Sequence, residues 1–406
     1  MVIKKIVSIV AVFVVSISVS FAQVRPGGKI SFSSGYASLE ENKFWYSSAE
    51  TLAKLDANVS SSVKAYLEST CSILSVPETE YTTAGFAGTA TLSKAYVKAR
   101  LPWFNGFSAR MNAGKQPVSW GYGLFYNAGD LIFGSDPVNQ KQRADTSFSF
   151  TSVKIKSNLS DEIKKSLLEN SNSSLNFSNQ NMSSFSFSSS SLSDLRITSD
   201  WAFCFAAPIS KIITIEAIVL PPIDSALNGS FGRFGRFGSR AQFKIDSVVI
   251  ENMEGGFISS DKMNTNELYL ALDGTIFFDY NICSSVKFED EFVKDEWQIS
   301  TSLCKNFTIR GDTQEQTLMI RAESLIKPLE NDFGIFGFLS YSPTETTSFA
   351  FSYINSKTSE DERVHYLGIS SEWKMNTNFS FNFQGMANLV NPQKATLITA
   401  GVSCKF

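Results

Sequence analysis

Apolar and polar residues take turns along much of this chain, most regularly in its last third. Phe379, Phe381, Phe383, Gly385, Ala387 and Leu389 interleave with Asn378, Ser380, Asn382, Gln384, Met386 and Asn388. Successive side chains of a strand point to opposite faces, so a period of two predicts strands and cannot be served by a helix. The same rhythm sets Leu367, Ile369 and Trp373 against Gly368, Ser370, Glu372 and Lys374, and Phe349, Phe351 and Tyr353 against Ser348, Ala350 and Ser352. These read as neighbouring strands of one sheet whose two faces differ sharply in polarity.

The connections alternate as well. Segments 375–378, 342–346 and 310–315 are short and turn-like, whereas 355–362 and 289–295 are longer and acidic. Short turns on one side and longer polar loops on the other mark a barrel that crosses a membrane, its apolar face toward lipid and its polar face toward a lumen. Asp273-Gly274, between Leu268-Leu270-Leu272 and Ile276-Phe278-Tyr280, predicts a two-residue hairpin turn on the short-turn side. Further strands are expected near residues 28–38, 50–60, 62–74, 89–101, 107–116, 200–207, 209–220, 237–246 and 247–258. The expected fold class is therefore all-β, a closed antiparallel transmembrane barrel of about eighteen strands (between about sixteen and twenty) with long external loops. A soluble sandwich also alternates, but a Phe-covered face with so little charge would leave it very large and adhesive.

Residues 157–200 break the rhythm, with 16 Ser, much Asn and too few apolar residues for a packed core. Within them, Ser160-Asp161-Glu162-Ile163-Lys164-Lys165 to Leu168 predicts a short helix capped by Ser160 with acids in its first turn. A flap folded toward the barrel mouth and plain disorder both fit this stretch. A second loop, 221–237, joins Pro221-Pro222 to Gly232-Arg233-Phe234-Gly235-Arg236-Phe237 and suits the lipid–water boundary or the pore mouth.

Composition agrees with a lipid-facing surface. The 406 residues include 35 Phe and 12 Tyr against a single His, and 18% are charged, which is aromatic-rich and charge-poor for a globule in water. A formal net charge of −3 without a basic tract gives no sign of nucleic acid as a partner. At the N-terminus, Lys4 and Lys5 precede an apolar run from Ile6 to Val19, and Ser20-Phe21-Ala22 places small residues where a signal peptidase reads. Residues 1–22 are thus expected to be a cleaved signal peptide and residues 23–406 the barrel. The run is shorter than the ~20 residues of a spanning helix, and no Cys follows the cleavage site to make a lipoprotein. Downstream, the most apolar stretch, 209–223, is broken by Lys211, Glu216, Pro221 and Pro222. Cys71, Cys204, Cys283, Cys304 and Cys404 are too widely spaced for a zinc site or a redox dithiol. Most read as small apolar fillers, in a compartment that permits a disulfide. No metal and no cofactor is indicated.

Two segments carry a family resemblance. The last eight residues, Thr399-Ala400-Gly401-Val402-Ser403-Cys404-Lys405-Phe406, resemble the C-terminal signal of outer-membrane barrels, with a polar residue, a glycine two later, alternate apolar positions and a terminal aromatic. Gly401 and Phe406 are its fixed points, and Cys404 is a small substitute at an apolar one. The resemblance implies recognition by barrel-assembly machinery, which a final strand with an unpaired edge can engage. Gly114-Lys115-Gln116-Pro117-Val118-Ser119-Trp120-Gly121-Tyr122-Gly123, followed by Phe125, Asn127 and Asp130-Leu131-Ile132-Phe133, is similar to a segment of porin-like outer-membrane proteins. There a strand ending Gly-Arg-Gln leads into a Trp-Gly-x-Gly loop and an Asn-x-x-Asp-Leu-Phe stretch. Lys115 stands where Arg is usual, and lysine lacks the planar fork that arginine uses for bidentate pairing. The resemblance implies export through the periplasm to the bacterial outer membrane, contact with its lipid, and a homotrimer as a form common among porins.

Taken by themselves, residues 116–133 pack glycines and aromatics too densely for a solvated loop. They bend into the barrel and narrow it, with Trp120, Tyr122 and Asp130 on the loop's surface, or they fold over the rim. On the adjoining strands Lys94, Tyr96, Lys98, Arg100, Arg110 and Asn112 share the polar face, while Ala95, Val97, Ala99, Phe107, Ala109 and Met111 face lipid. A basic wall in a pore favours anionic solutes. Later strands place Asp279, Glu296, Glu323 and Glu372 inward beside Lys244, Arg321 and Lys374, and opposite charges can also simply stabilise a wet interior. The candidate pore-lining residues are Lys94, Lys98, Arg100, Arg110, Trp120, Tyr122, Asp130, Lys244 and Arg321.

His365 offers the one imidazole, on the outer face by parity, where barrel phospholipases carry a Ser-His pair. No segment here resembles their nucleophile motif, so no catalytic residue is assigned. Three functions fit the sequence. The first is a porin-like channel for passive diffusion of small solutes. The second is a transporter of hydrophobic compounds of fatty-acid type, which Phe277 and Phe336, inward by parity, would suit. The third is a structural or surface-interaction barrel with a closed interior.

Overall fold

The computed structural model describes residues 24–39, 42–76, 78, 83–118, 120–136, 147–152, 199–222, 235–245, 247, 249–260, 265–289, 293–310, 315–357, 363–389 and 396–406. The expected signal peptide, the Ser-rich stretch apart from its last two residues, most of loop 221–237 and the turn at 311–314 lie outside these residues.

Strands β1 (Val24–Leu39), β2 (Asn42–Asn58), β3 (Val63–Val76) and β4 (Gly85–Pro102) follow one another as antiparallel neighbours. A single 3-10 turn at Phe104–Gly106 leads to β5 (Ser108–Pro117), which pairs with the second half of β4. The first half of β4 pairs instead with β6 (Ser147–Thr151), so β5 and β6 share one position in the sheet. Next to β5 comes β7 (Ser199–Pro208), and the meander continues through β8 (Ile213–Leu220), β9 (Arg236–Lys244), β10 (Ile250–Ser260) and β11 (Asn266–Thr275). It is completed by β12 (Asp279–Glu289), β13 (Val293–Arg310), β14 (Glu315–Lys327), β15 (Asp332–Ser342), β16 (Thr347–Lys357), β17 (Arg363–Lys374), β18 (Phe379–Asn388) and β19 (Thr396–Lys405).

β19 pairs with β1 from Lys29↔Lys405 to Ser38↔Thr396, which closes the sheet into a barrel of 18 staves. The seam runs to the last residue, where Phe406 N–H donates to Gly28 O at 3.1 Å and Gly28 N–H donates to Phe406 O at 2.9 Å. Closure matters in lipid because each unsatisfied backbone group there costs several kcal/mol, roughly, and a ring has no edge. Inside the seam, Tyr46 hydrogen-bonds Thr399, and Ser380 hydrogen-bonds Ser403 at 2.8 Å.

The faces are inverted relative to a protein in water. Phe349, Phe351, Phe379, Phe381, Phe383, Leu268 and Leu270 are exposed on the outer surface, whereas Ser352 and Ser380 on β16 and β18, and Ser370 and Ser403 on the neighbouring β17 and β19, are buried inside. Several of the described short turns share one chemistry. Asn376 Oδ1 accepts the N–H groups of Asn378 and Phe379, each at 2.8 Å, and Thr344 Oγ1 accepts those of Thr346 and Thr347. Ser60 and Ser210 act the same way in the turns after β2 and β7. A side-chain oxygen thus caps the N–H groups that the ladder releases. The start of β1, the end of β19 and these turns lie on one side of the barrel, called here the turn side.

Two sequence expectations need correction. The hairpin after β11 does not turn at Asp273-Gly274; both residues stay in the ladder, and the chain reverses around Ile276–Phe278. Asp273 accepts a bond from Asn252 Nδ2 at 3.0 Å, and a Cβ on Gly274 would fall 1.9 Å from Val249 O. Gly274 is needed for close approach of the neighbouring chain, not for a positive φ. Phe277 consequently sits at the tip of the turn, 79% exposed, and does not face the lumen. The alternation in β4 also changes phase once, through a register shift opposite Glu68 and Ser69, which lets Thr91 and Lys94 both face inward.

Candidate functional site

The interior is organised by residues 118–135, which leave the wall between β5 and β6. Pairing of β5 with β4 ends at Lys115↔Ala95, and Pro117 has no N–H to extend a ladder. Gly121 holds φ at +72°, and a Cβ there would meet Asn127 Oδ1 at 2.2 Å. Asn127 ties the loop to itself, donating through Nδ2 to Trp120 O at 2.8 Å and accepting from Gly129 N–H at 3.0 Å. Asp130 accepts from Phe133 N–H at 2.9 Å.

Three carboxylates on the inner wall hold this loop. Glu323 on β14 accepts the consecutive N–H groups of Leu124 (3.2 Å), Phe125 (2.7 Å) and Tyr126 (2.7 Å) and is paired with Arg321 at 2.5 Å. Glu254 on β10, 0% exposed, accepts from Gly121 N–H at 2.5 Å, Gln242 Nε2 at 3.0 Å and Tyr269 OH at 3.1 Å. Glu216 on β8 accepts from Trp120 Nε1 at 2.9 Å. Arg240 on β9 pairs with both Glu216 (3.2 Å) and Glu254 (3.4 Å) and lies over the Trp120 ring at 5.8 Å. Burying carboxylates is costly unless each is paired and hydrogen-bonded, and here backbone N–H groups of the loop supply much of that compensation. Ser300 Oγ adds a bond from Ala128 N–H, and Arg236 donates to Leu131 O and Ile132 O.

Apolar packing seats the same loop. Phe125 stacks on Phe336 with ring centroids 4.3 Å apart, and Trp120, 0% exposed, stacks near Tyr269. Gly129 lies so close to the wall that a Cβ would be 2.9 Å from Cys283 Sγ. The buried cluster joins Val118, Trp120, Phe125 and Phe133 to inward residues of β7 through β16, and no residue of β1–β4 belongs to it. The loop therefore lines one side of the barrel and leaves the other uncovered. That uncovered wall is dressed with paired hydroxyls: Ser33 with Ser48, Thr70 with Ser93 and Ser72 with Thr89.

The sequence-selected residues separate into two groups. Lys98 and Arg110 line a cavity of about 270 Å³ with Glu216, Arg240 and Gln242, on the turn side of the loop. Lys98 and Arg100 line a second, of about 200 Å³, with Ser61, Ser62, Lys64 and Tyr66. Lys94 is engaged by Glu68, which also binds Lys54, at 3.1 and 3.2 Å. Lys244 is exposed at the turn-side end of β9. Trp120 and Asp130 are buried against the wall rather than carried on the loop's surface, since Trp120 must reach Glu216 and Asp130 closes the loop's own turn. Tyr122 is half-buried, and its carbonyl accepts from Asn281 Nδ2 at 3.1 Å. Arg321 serves the seat through Glu323. His365 sits on the outer face with Nδ1 3.4 Å from Tyr353 OH. The five cysteines are free thiols, and among the described residues no cluster of His, Cys, Asp or Glu is placed to hold a metal.

Sequence reasoning missed Glu254, Glu216 and Arg240 as the centre of the seat. Their signal was a charge on the polar face at mid-strand, where a charge without a partner is expensive.

No protein-family profile and no curated protein sequence matches this chain. Among solved structures, it is similar to Pseudomonas aeruginosa OccK8 (OprE), with a TM-score of 0.49 and 8% identity over 95% of this chain and 98% of that one. OccK2 (OpdF) of the same organism gives a TM-score of 0.48 at 7% identity, covering 95% of this chain and 98% of that one. Pseudomonas putida OprB at low pH gives 0.41 at 5%, covering 93% and 92%. The similarity spans almost the whole chain but is loose.

Proposed function

We propose that this protein is an outer-membrane channel through which small polar solutes diffuse passively along the hydroxyl-lined wall that the inward loop leaves uncovered. The observation that carries the reading is the one-sided seat. A loop bonded through its backbone to Glu254 and Glu323 narrows the barrel without its apolar cluster reaching β1–β4. The exposed apolar outer face supports residence in lipid, and the turn side then faces the periplasm. A signal peptide at residues 1–22 and recognition of Gly401 and Phe406 by barrel-assembly machinery belong to the same proposal. The homotrimer has its support in the outer face of β2–β4, where Ala49, Ala53, Ala65 and Ala95 give a low surface, since protein contacts in membranes favour small residues.

Neither alternative gains a specific observation. Phe277 is at a turn tip, and Phe336 is covered by Phe125, so neither lines an apolar pocket. Protein reconstituted into planar bilayers is expected to give stepwise conductance. Saturable binding of a fatty acid with no conductance would replace this reading by the lipophile transporter, and absence of both would leave the structural barrel.

A further inference from the structure

Several inward-facing cations among the described residues are matched by acids. Lys54 and Lys94 share Glu68, Arg236 meets Glu267, Arg240 meets Glu216 and Glu254, Arg321 meets Glu323, Lys327 meets Glu296 and Glu330, and Lys374 meets Glu372. Four cations on adjacent strands have no such match. Lys64 is the direct cross-strand partner of Lys98, and Arg100 that of Arg110, so three strands bring four cations together in two like-charge pairs. None of the four is ion-paired among the described residues. Like charges directly opposite on a sheet are destabilising, and low-dielectric walls strengthen the field they create.

Opposed lysines alone do not make a site. Lys29 and Lys405 also face each other, at the rim. The four cations differ because they line two cavities that share Lys98, of about 270 and 200 Å³. The first adds the donors Asn112, Thr214, Gln242 and Arg240, and its one acid, Glu216, is already held by Arg240 and Trp120. The second adds Ser61, Ser62 and Tyr66. Together they offer hydroxyl and amide donors around two centres of positive charge bridged by a single lysine.

We infer that Lys64, Lys98, Arg100 and Arg110 form a binding site for a multivalent oxyanion at the turn-side mouth. One anionic group lies between Lys98 and Arg110, and the other between Lys64 and Arg100. The class is a small solute with two or more carboxylate or phosphate groups, and a monovalent anion fills only one of the two centres. The site rests on the channel reading solely for the route by which its ligand arrives.

The test is calorimetric titration of the full-length protein in detergent with citrate, inorganic pyrophosphate and, as the monovalent comparison, acetate. Saturable binding of citrate or pyrophosphate, with acetate at least about tenfold weaker, is expected from the loss of one charge-assisted centre. Binding of citrate alone assigns polycarboxylates, and of pyrophosphate alone phosphorylated solutes. Lys98→Gln with Arg110→Gln should weaken it by about tenfold or more, whereas Lys374→Gln, a paired cation on another strand, should leave it unchanged. Absence of saturable binding, or equal binding by the double variant, overturns the inference. Binding without conductance in bilayers would instead remove the channel reading and keep the site. With conductance present, anion block should be stronger from the turn side, and Lys98→Glu with Arg100→Glu should abolish it; equal block from both sides also overturns the placement.

Discussion

Glu323 is the position at which the seat of the inward loop can be released most cleanly. Its two oxygens take three backbone N–H groups and one arginine N–H, all within the barrel. Replacing it by glutamine keeps the shape, removes the charge, and turns an amide donor toward groups that are themselves donors. Hydrogen bonds to a charged acceptor contribute about 1.5–3 kcal/mol each, and removing one member of a buried ion pair costs about 3–5 kcal/mol. Water in the adjoining lumen offsets part of this, so we take about 3 kcal/mol for the docked loop, a shift of roughly a hundredfold in its docking equilibrium. Amide hydrogen exchange at Leu124, Phe125 and Tyr126 should accelerate by about that factor, and single-channel conductance should become larger and noisier. Ser300→Ala, which removes one neutral bond from Ala128 N–H, should accelerate exchange there by only about tenfold. If exchange at these amides and conductance were both unchanged in Glu323→Gln and Glu323→Ala, the carboxylate would not be what holds the loop.

Three further outcomes are expected. Phe381→Lys, on the outer face, should lower the stability measured by reversible folding into lipid vesicles by about 2–4 kcal/mol, while Asn382→Lys, one residue on but facing inward, should cost far less; equal losses would contradict the assignment of faces. Trp120→Phe should weaken the seat by about 1–3 kcal/mol, because Glu216 loses the indole N–H while the stacking surface remains; the readout is hydrogen exchange at Gly121. Phe406→Ala should lower the yield of heat-modifiable folded protein in the outer membrane, and so should Gly28→Val, since a Cβ at Gly28 would lie 2.5 Å from the Phe406 ring. Normal yields from both would remove the seam as a determinant of assembly.

The outer surface was legible because lipid enforces a two-letter pattern, and Phe379, Phe381 and Phe383 could point only one way once their neighbours were Ser380 and Asn382. The charges of β4 and β5 were legible for the same reason, down to Lys98, Arg100 and Arg110 sharing one face. That these cations are opposed across strands was not, because register depends on which strand lies alongside. The inward path of residues 118–135 showed in their density of glycine and aromatic residues, but not which side of the loop meets the wall. Trp120 and Asp130 were therefore expected at the surface, although both are buried. Glu254 and Glu323 bind backbone N–H groups more than a hundred residues distant in sequence, and backbone donors leave no mark in a sequence. Asp273-Gly274 misled because the glycine answers to Val249 of the neighbouring strand rather than to a turn.

The central claim is that consecutive side chains point by turns to hydrocarbon and to a water-filled lumen. It can be tested by placing single cysteines at each position from 379 to 384 in a variant whose native cysteines are replaced, folded into lipid vesicles. A water-soluble, membrane-impermeant thiol reagent should label Ser380, Asn382 and Gln384 positions, and a bilayer-dissolved quencher should reach a fluorophore only at Phe379, Phe381 and Phe383 positions. Labelling and quenching that do not alternate, or a chain that folds stably in buffer without detergent or lipid, would contradict the account.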